Sequence, residues 1–163
     1  MKYKIKFTLI LAAWLTLFIY PAMAQVNSKS TLSISGAKKI ADAAVAEAKK
    51  NNAGGSIAIV DDGGNLMYMI RIDGTFTASA EVAIGKAQTA AHFKKPTSAF
   101  EEAIIKGRVT MNTLPAVTRF TPLQGGVPIL YNGEIVGAIG VSGSMSAQQD
   151  EDIAKAAVQI KFD

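Results

Sequence analysis

His92 is the only histidine in this 163-residue chain, and cysteine is absent. Those counts exclude a multi-histidine metal cage within one subunit, cysteine-ligated zinc, iron–sulfur clusters and thiolate-ligated haem. One imidazole can still ligate haem iron axially; the structural alternative is a helix-end histidine binding the last carbonyls. Arg71, Asp73 and Lys86 form a second set. Lys86 stands in a run of Ala, Gly and Ile (Ala83-Ile84-Gly85-Lys86-Ala87). From such a small-residue helix face its ammonium can reach an anion, a carboxylate or a haem propionate, and the guanidinium fork of Arg71 can hold the same group. The structural alternatives are a pairing of Arg71 with Asp73 or Glu81 and a solvated Lys86. An enzyme acting on a small organic acid would use Lys86 or Arg71, with Lys86, desolvated by its alanine neighbours, as general base.

The loop Pro122-Leu123-Gln124-Gly125-Gly126-Val127-Pro128 is a third candidate. Paired glycines permit positive φ and let a ligand lie against main-chain N–H groups; they equally suit a tight entry into a strand. Gly137, Gly140 and Gly143 are three apart, which is not the dinucleotide fingerprint. Within a strand they relieve crowding where a helix or a neighbouring subunit presses on the sheet. Thr110 and Met111 supply a hydroxyl and a thioether, a weak and a conventional soft ligand respectively. Nucleophilic catalysis finds no G-x-S-x-G elbow and no acid placed behind His92. Glu101-Glu102 and Asp150-Glu151-Asp152 fall in first helical turns, where the helix dipole explains them.

Ala37, Ile40, Ala41, Ala44, Val45 and Ala48 recur at helical spacing after the capping hydroxyls of Thr31 to Ser35. Ser56 to Val60 and Leu66 to Ile72 read as a hairpin around Asp61-Asp62-Gly63-Gly64-Asn65. Ser79 to Phe93 is an alanine-rich helix stopped before Pro96, and Ser98 with Glu101 reads as a capping box for a short helix through Ile105. Val109 to Thr113 reads as a strand. Val127 to Tyr131 and Glu134 to Val141 are strands joined at Asn132-Gly133, a strong hairpin signal. Ser146 and Gln149 open a last helix running to about Ile160. The order α-β-β-α-α-β-β-β-α predicts one α+β domain, an antiparallel sheet of about five strands with packed helices.

The first 24 residues read as a cleaved export signal. Lys2, Lys4 and Lys6 precede an apolar run from Phe7 to Tyr20, and Ala22-Met23-Ala24 is a signal-peptidase site. The run is shorter than the ~20 residues that span a bilayer. Cleavage before Gln25 leaves residues 25–163 as a single domain in the periplasm or medium, without stable membrane insertion. Taking the three signal lysines from 17 basic residues leaves 14 against 13 acidic ones. Dispersed, nearly balanced charge excludes a nucleic-acid footprint.

Three segments carry a family resemblance: Leu123 to Ala157, Ser56 to Gly74 (SIAIVDDGGNLMYMIRIDG) and Ala83 to Thr97 (AIGKAQTAAHFKKPT). Together they resemble the GlcG/HbpS family, small domains that include secreted haem-binding proteins. The resemblance implies a profilin-like α+β fold and haem as cofactor. Arg71-Ile72-Asp73-Gly74 and Gly85-Lys86-Ala87 match family runs, and Thr110 matches a haem-contacting segment. Haem would sit in a cleft or at a subunit interface of a homo-oligomer. Arg71 or Lys86 would hold its propionates, Gly125 and Gly126 would lie close by, and Thr110, Met111 or His92 would be near the iron. The alternatives are an isomerase or lyase acting on an organic carboxylate, and a structural oligomer without ligand.

Overall fold

The computed structural model describes residues 28–162, so the expected export signal and cleavage site lie outside the described residues. Helix α1 (Ile34–Lys50) begins at Ser33, whose hydroxyl accepts the Gly36 N–H at 3.1 Å and satisfies a donor of the first turn. Its buried face is Ala37, Ile40, Ala41, Ala44 and Ala48, the expected stripe except for half-buried Val45. Strand β1 (Ser56–Asp61) is buried at every position but its last, as a central strand covered on both faces must be. In the turn that follows, Asp61 Oδ1 accepts the N–H groups of Gly63 (2.9 Å) and Asn65 (2.8 Å). The chain returns as the half-covered edge strand β2 (Leu66–Arg71).

Helix α2 (Ser79–Phe93) comes next. An excursion made of helix α3 (Ser98–Ile105) and a 3-10 helix (Val109–Ala116) precedes strands β3 (Gly126–Tyr131) and β4 (Glu134–Ser142) and helix α4 (Ala147–Ala157). Asn132 and Gly133, at φ 49° and 82°, make the β3–β4 turn with two left-handed residues, as a type I′ hairpin requires. The sheet order is β2-β1-β4-β3, antiparallel throughout.

One face of the sheet carries Ile57, Ile59, Val127, Ile129, Ile139 and Val141, which pack on α1 and α4. The other carries Ala58, Val60 and Ala138, which meet Ala83, Ala87, Ala90 and Ala91 of α2. This second layer uses small residues because backbone lies on backbone: a Cβ on Gly140 would stand 2.0 Å from the Ala83 carbonyl oxygen. The crowding that Gly140 relieves is therefore caused by a helix of the same chain, whereas a Cβ on Gly137 would stand 2.3 Å from the Val60 carbonyl oxygen of β1.

The α+β class and the element order agree with the sequence reading, with one strand fewer. Val109 to Thr113 is not a fifth strand but the start of the 3-10 helix. Neither sheet edge receives it, and local bonds replace the missing ladder: Met111 N–H donates to Arg108 O at 3.1 Å and the Thr113 hydroxyl to Thr110 O at 2.9 Å. The last helix ends at Ala157, short of Ile160. At Ser146 the predicted cap is present, its hydroxyl accepting the Gln149 N–H at 3.1 Å. At Ser98 it is not. Thr97 precedes the helix without a side-chain cap, and both Ser98 and Glu101 are committed to distant partners.

Candidate functional site

Lys86 points into the protein. It is 3% exposed, and its ammonium donates to Asp150 Oδ2 and to Val141 O, both at 2.9 Å. Asp150 is buried as well; its other oxygen accepts the Ser144 N–H (3.0 Å) and hydroxyl (2.6 Å). The pair therefore ties α2 to the end of β4, the following loop and the first turn of α4. The reading of Lys86 as a desolvated base foresaw its burial, but no reading from the sequence foresaw Asp150 as its partner. Lys86 is not a solvated surface lysine, and its charge is turned away from any external anion.

Gly125 and Gly126 lie beside that pair, and the close approach they allow is made by the chain itself. Gly125 has φ 124°; a Cβ there would be 2.6 Å from Val141 O and 3.0 Å from Lys86 Nζ. A Cβ on Gly126 would be 2.4 Å from Lys86 O. The Gly126 N–H donates to Thr97 Oγ1 at 2.8 Å, and Thr97 N–H returns a bond to Gly126 O at 2.9 Å. Glu101 accepts the Gln124 N–H at 2.7 Å. Buried Glu151 accepts from Ser98 Oγ at 2.8 Å, Lys155 Nζ at 3.0 Å and the Gln124 amide. Burial pushes the Glu151 carboxyl up, but the hydrogen bonds from Gln124, Ser98 and Lys155 outweigh it and leave the group below the ordinary glutamate range.

The remaining candidates are spread over the surface. Arg71, exposed at the end of β2, pairs across the strand with Ser56 and makes no ion pair among the described residues. Neither Asp73 nor Glu81 holds it. Exposed His92 places Nε2 3.0 Å from the carbonyl oxygen of Gly63, in the β1–β2 turn rather than at its own helix end. Thr110 is exposed and Met111 partly so, both on the 3-10 helix, no residue of which is buried. Around them the excursion leaves large apolar side chains in solvent: Ile105 at 78% exposure, Val109 at 61% and Val117 at 81%. A triad of edge-to-face rings, Phe93, Phe100 and Phe120, anchors this arm with centroids 5.2–5.4 Å apart.

Two cavities stand elsewhere. One of about 380 Å³ is lined by Ser30 to Ser33, Tyr131, Val136 and Phe162, and one of about 350 Å³ includes Lys29, Asp62, Lys94 and Glu134. Neither is lined by a candidate site residue named from the sequence. Of the groups the sequence reading missed, Asp150 had a signal: with Ile153, Ala154 and Ala157 it falls at helical spacing on the buried face of α4. Thr97 and Ser144 had none, because their roles arise only when loops meet.

These features define an α+β domain, a four-stranded antiparallel sheet between helical layers, with a polar hub around a glycine loop and one exposed apolar arm. Over residues 32–159 the chain matches the family described as "Haem degrading protein HbpS-like", and it belongs to that family. It is 40% identical over 117 residues to the protein GlcG of Escherichia coli K12, covering 72% of this chain and 85% of the relative. A double mutant of HbpS from Streptomyces reticuli superposes with a TM-score of 0.76 at 30% identity, covering 89% of this chain and 97% of the other. A complex of PduOC with haem superposes at 0.72 with 26% identity, covering 80% and 94%.

Proposed function

We propose that this protein is an exported haem-binding domain, a scavenger, carrier or sensor component that meets haem outside the cytoplasm. The observation that carries this reading is the 3-10 helix Val109–Ala116, an eight-residue segment with no buried residue, placed among exposed apolar neighbours. A soluble fold leaves such a surface bare where something apolar is to cover it. Haem is a planar apolar ring with two carboxylates and an iron that takes side-chain ligands. Thr110 and Met111 put a hydroxyl and a thioether on this surface, so the donor set fits. Family membership and the related haem complex support the same chemistry. The export half rests on Lys2, Lys4, Lys6, the apolar run to Tyr20 and Ala22-Met23-Ala24. A second copy of the chain would cover the other face of the ring, since one open surface leaves a bound plane half wet.

The enzymatic alternative has less behind it. As a general base Lys86 would first have to leave Asp150 and Val141 O, to which its ammonium is bonded inside the protein.

A haemin titration of the protein from Gln25 onwards, followed at the Soret band and by size-exclusion chromatography, tests the reading. The expected result is saturation at one haem or fewer per subunit, on an oligomer. A spectrum that never saturates overturns it. Fractionation of expressing cells tests export, with a mature N-terminus at Gln25 outside the cytoplasm as the expected result and uncleaved cytoplasmic protein as the contrary one.

A further inference from the structure

We propose that Arg108 and Met111 together form the part of the arm that reads haem, with Arg108 holding a propionate and Met111 facing the iron. The inference rests on the haem reading above and assigns its contacts. In a 3-10 helix residues three apart eclipse one another, so its surface is three ridges. Arg108 precedes the helix with a non-helical ψ of 55°, and its carbonyl accepts the Met111 N–H at 3.1 Å, which sets it one turn before Met111. One ridge is then Met111 and Leu114, both partly covered, flanked by exposed Arg108 and Val117 at the two ends of the helix: a thioether and two aliphatic side chains with a guanidinium at one end. The second is Val109, Asn112 and Pro115. The third is Thr110, Thr113 and Ala116, whose Thr113 hydroxyl is spent on Thr110 O.

Only the first ridge matches an amphipathic anion, with an apolar strip that ends in a cation. Arg108 is exposed and has no side-chain partner among the described residues. The arm's other cations are occupied: Lys106 is paired with Glu102, and Arg119 donates to Gln88 Oε1 at 3.4 Å. One turn, about 6 Å of rise, separates Arg108 from Met111. With the reach of the arginine side chain, one planar macrocycle can touch both. A free guanidinium is the better-built carboxylate ligand through its planar fork, and a thioether is the better iron ligand than a hydroxyl.

Three porphyrins separate the contributions: haemin, iron-free protoporphyrin IX, and protoporphyrin IX dimethyl ester, which lacks the carboxylate charges. Arg108→Gln should weaken haemin and the free acid about tenfold or more, the scale of a charge-assisted hydrogen bond, and leave the ester unchanged. Met111→Leu should shift the haemin Soret band and weaken haemin, and leave protoporphyrin IX unchanged. Thr110→Val tests the competing hydroxyl: a haemin spectrum altered by it and untouched by Met111→Leu overturns the assignment. Equal weakening of acid and ester by Arg108→Gln overturns the assignment, as does a haemin spectrum untouched by Met111→Leu. If the wild-type protein saturates with haemin in those cases, the haem reading stands and only this assignment fails. Failure of the wild type to saturate removes both.

Discussion

Asp150→Asn should be among the most damaging single substitutions in the domain, although it removes only a charge. Lys86 is 3% exposed and its ammonium has one counter-ion, 2.9 Å away. The amide keeps an oxygen for Ser144 but leaves the ammonium buried without a balancing charge. Removing one partner of a buried pair costs about 3–5 kcal/mol, because the survivor still bears its desolvation. For a domain of this size that corresponds to a fall in Tm of roughly 10–17 °C. Lys86→Met should cost a similar amount, since it strands the Asp150 carboxylate and the Val141 carbonyl. The double variant removes both charges and should be less damaging than the sum of the singles by about 2–3 kcal/mol. Urea unfolding of the four proteins at neutral pH, followed by circular dichroism, gives the coupling directly. Single effects within about 1 kcal/mol that simply add would refute the argument, and would mean that solvent reaches the pair.

The Glu151 carboxyl is held below its ordinary value of 4.5 in the folded protein. A lowered folded value gives stability that is full above the unfolded value and is lost as pH falls through the folded one. Glu151→Gln should therefore flatten the loss of stability below about pH 4.5, and parallel acid limbs for the two proteins would contradict this. Gly140→Ala places a methyl 2.0 Å from the Ala83 carbonyl, against backbone that cannot move aside locally. It should cost about 2–4 kcal/mol, and an unchanged urea midpoint would show that α2 can lift off the sheet. His92→Ala loses one exposed hydrogen bond to Gly63 O. It should cost less than about 1 kcal/mol and leave the haemin titration unaltered; a lost Soret shift would make His92 a ligand after all.

Elements whose signals are local were legible in the chain. The alanine stripe of α1, the Asn132-Gly133 hairpin and the Ser146 cap each depend on residues within a turn or two of one another, and each is where the pattern puts it. Ser98 and Glu101 have the spacing of a capping box, yet loop Leu123–Gly126 and helix α4 offer them other partners, and tertiary bonds win. Lys86 shows the limit most clearly. Its small neighbours marked it as unusual, and they are small because α2 lies tight on β4. The same closeness lets the lysine reach inward, to a carboxylate 64 residues away that no local pattern connects to it.

The misread segment has a larger consequence than a missing strand. In a strand, residues two apart share a face, so Arg108, Thr110 and Asn112 would line up and the hydroxyl would stand beside the cation. In the 3-10 helix the period is three, and Met111 takes that place while Thr110 moves to another ridge. The iron ligand proposed here thus depends on the backbone period of eight residues. The β-propensity of Val109, Thr110 and Thr113 points to the wrong one, because propensity describes residues on a sheet and no sheet edge is offered here. A haemin spectrum that responds to Met111→Leu and not to Thr110→Val would confirm the period of three from the chemistry alone.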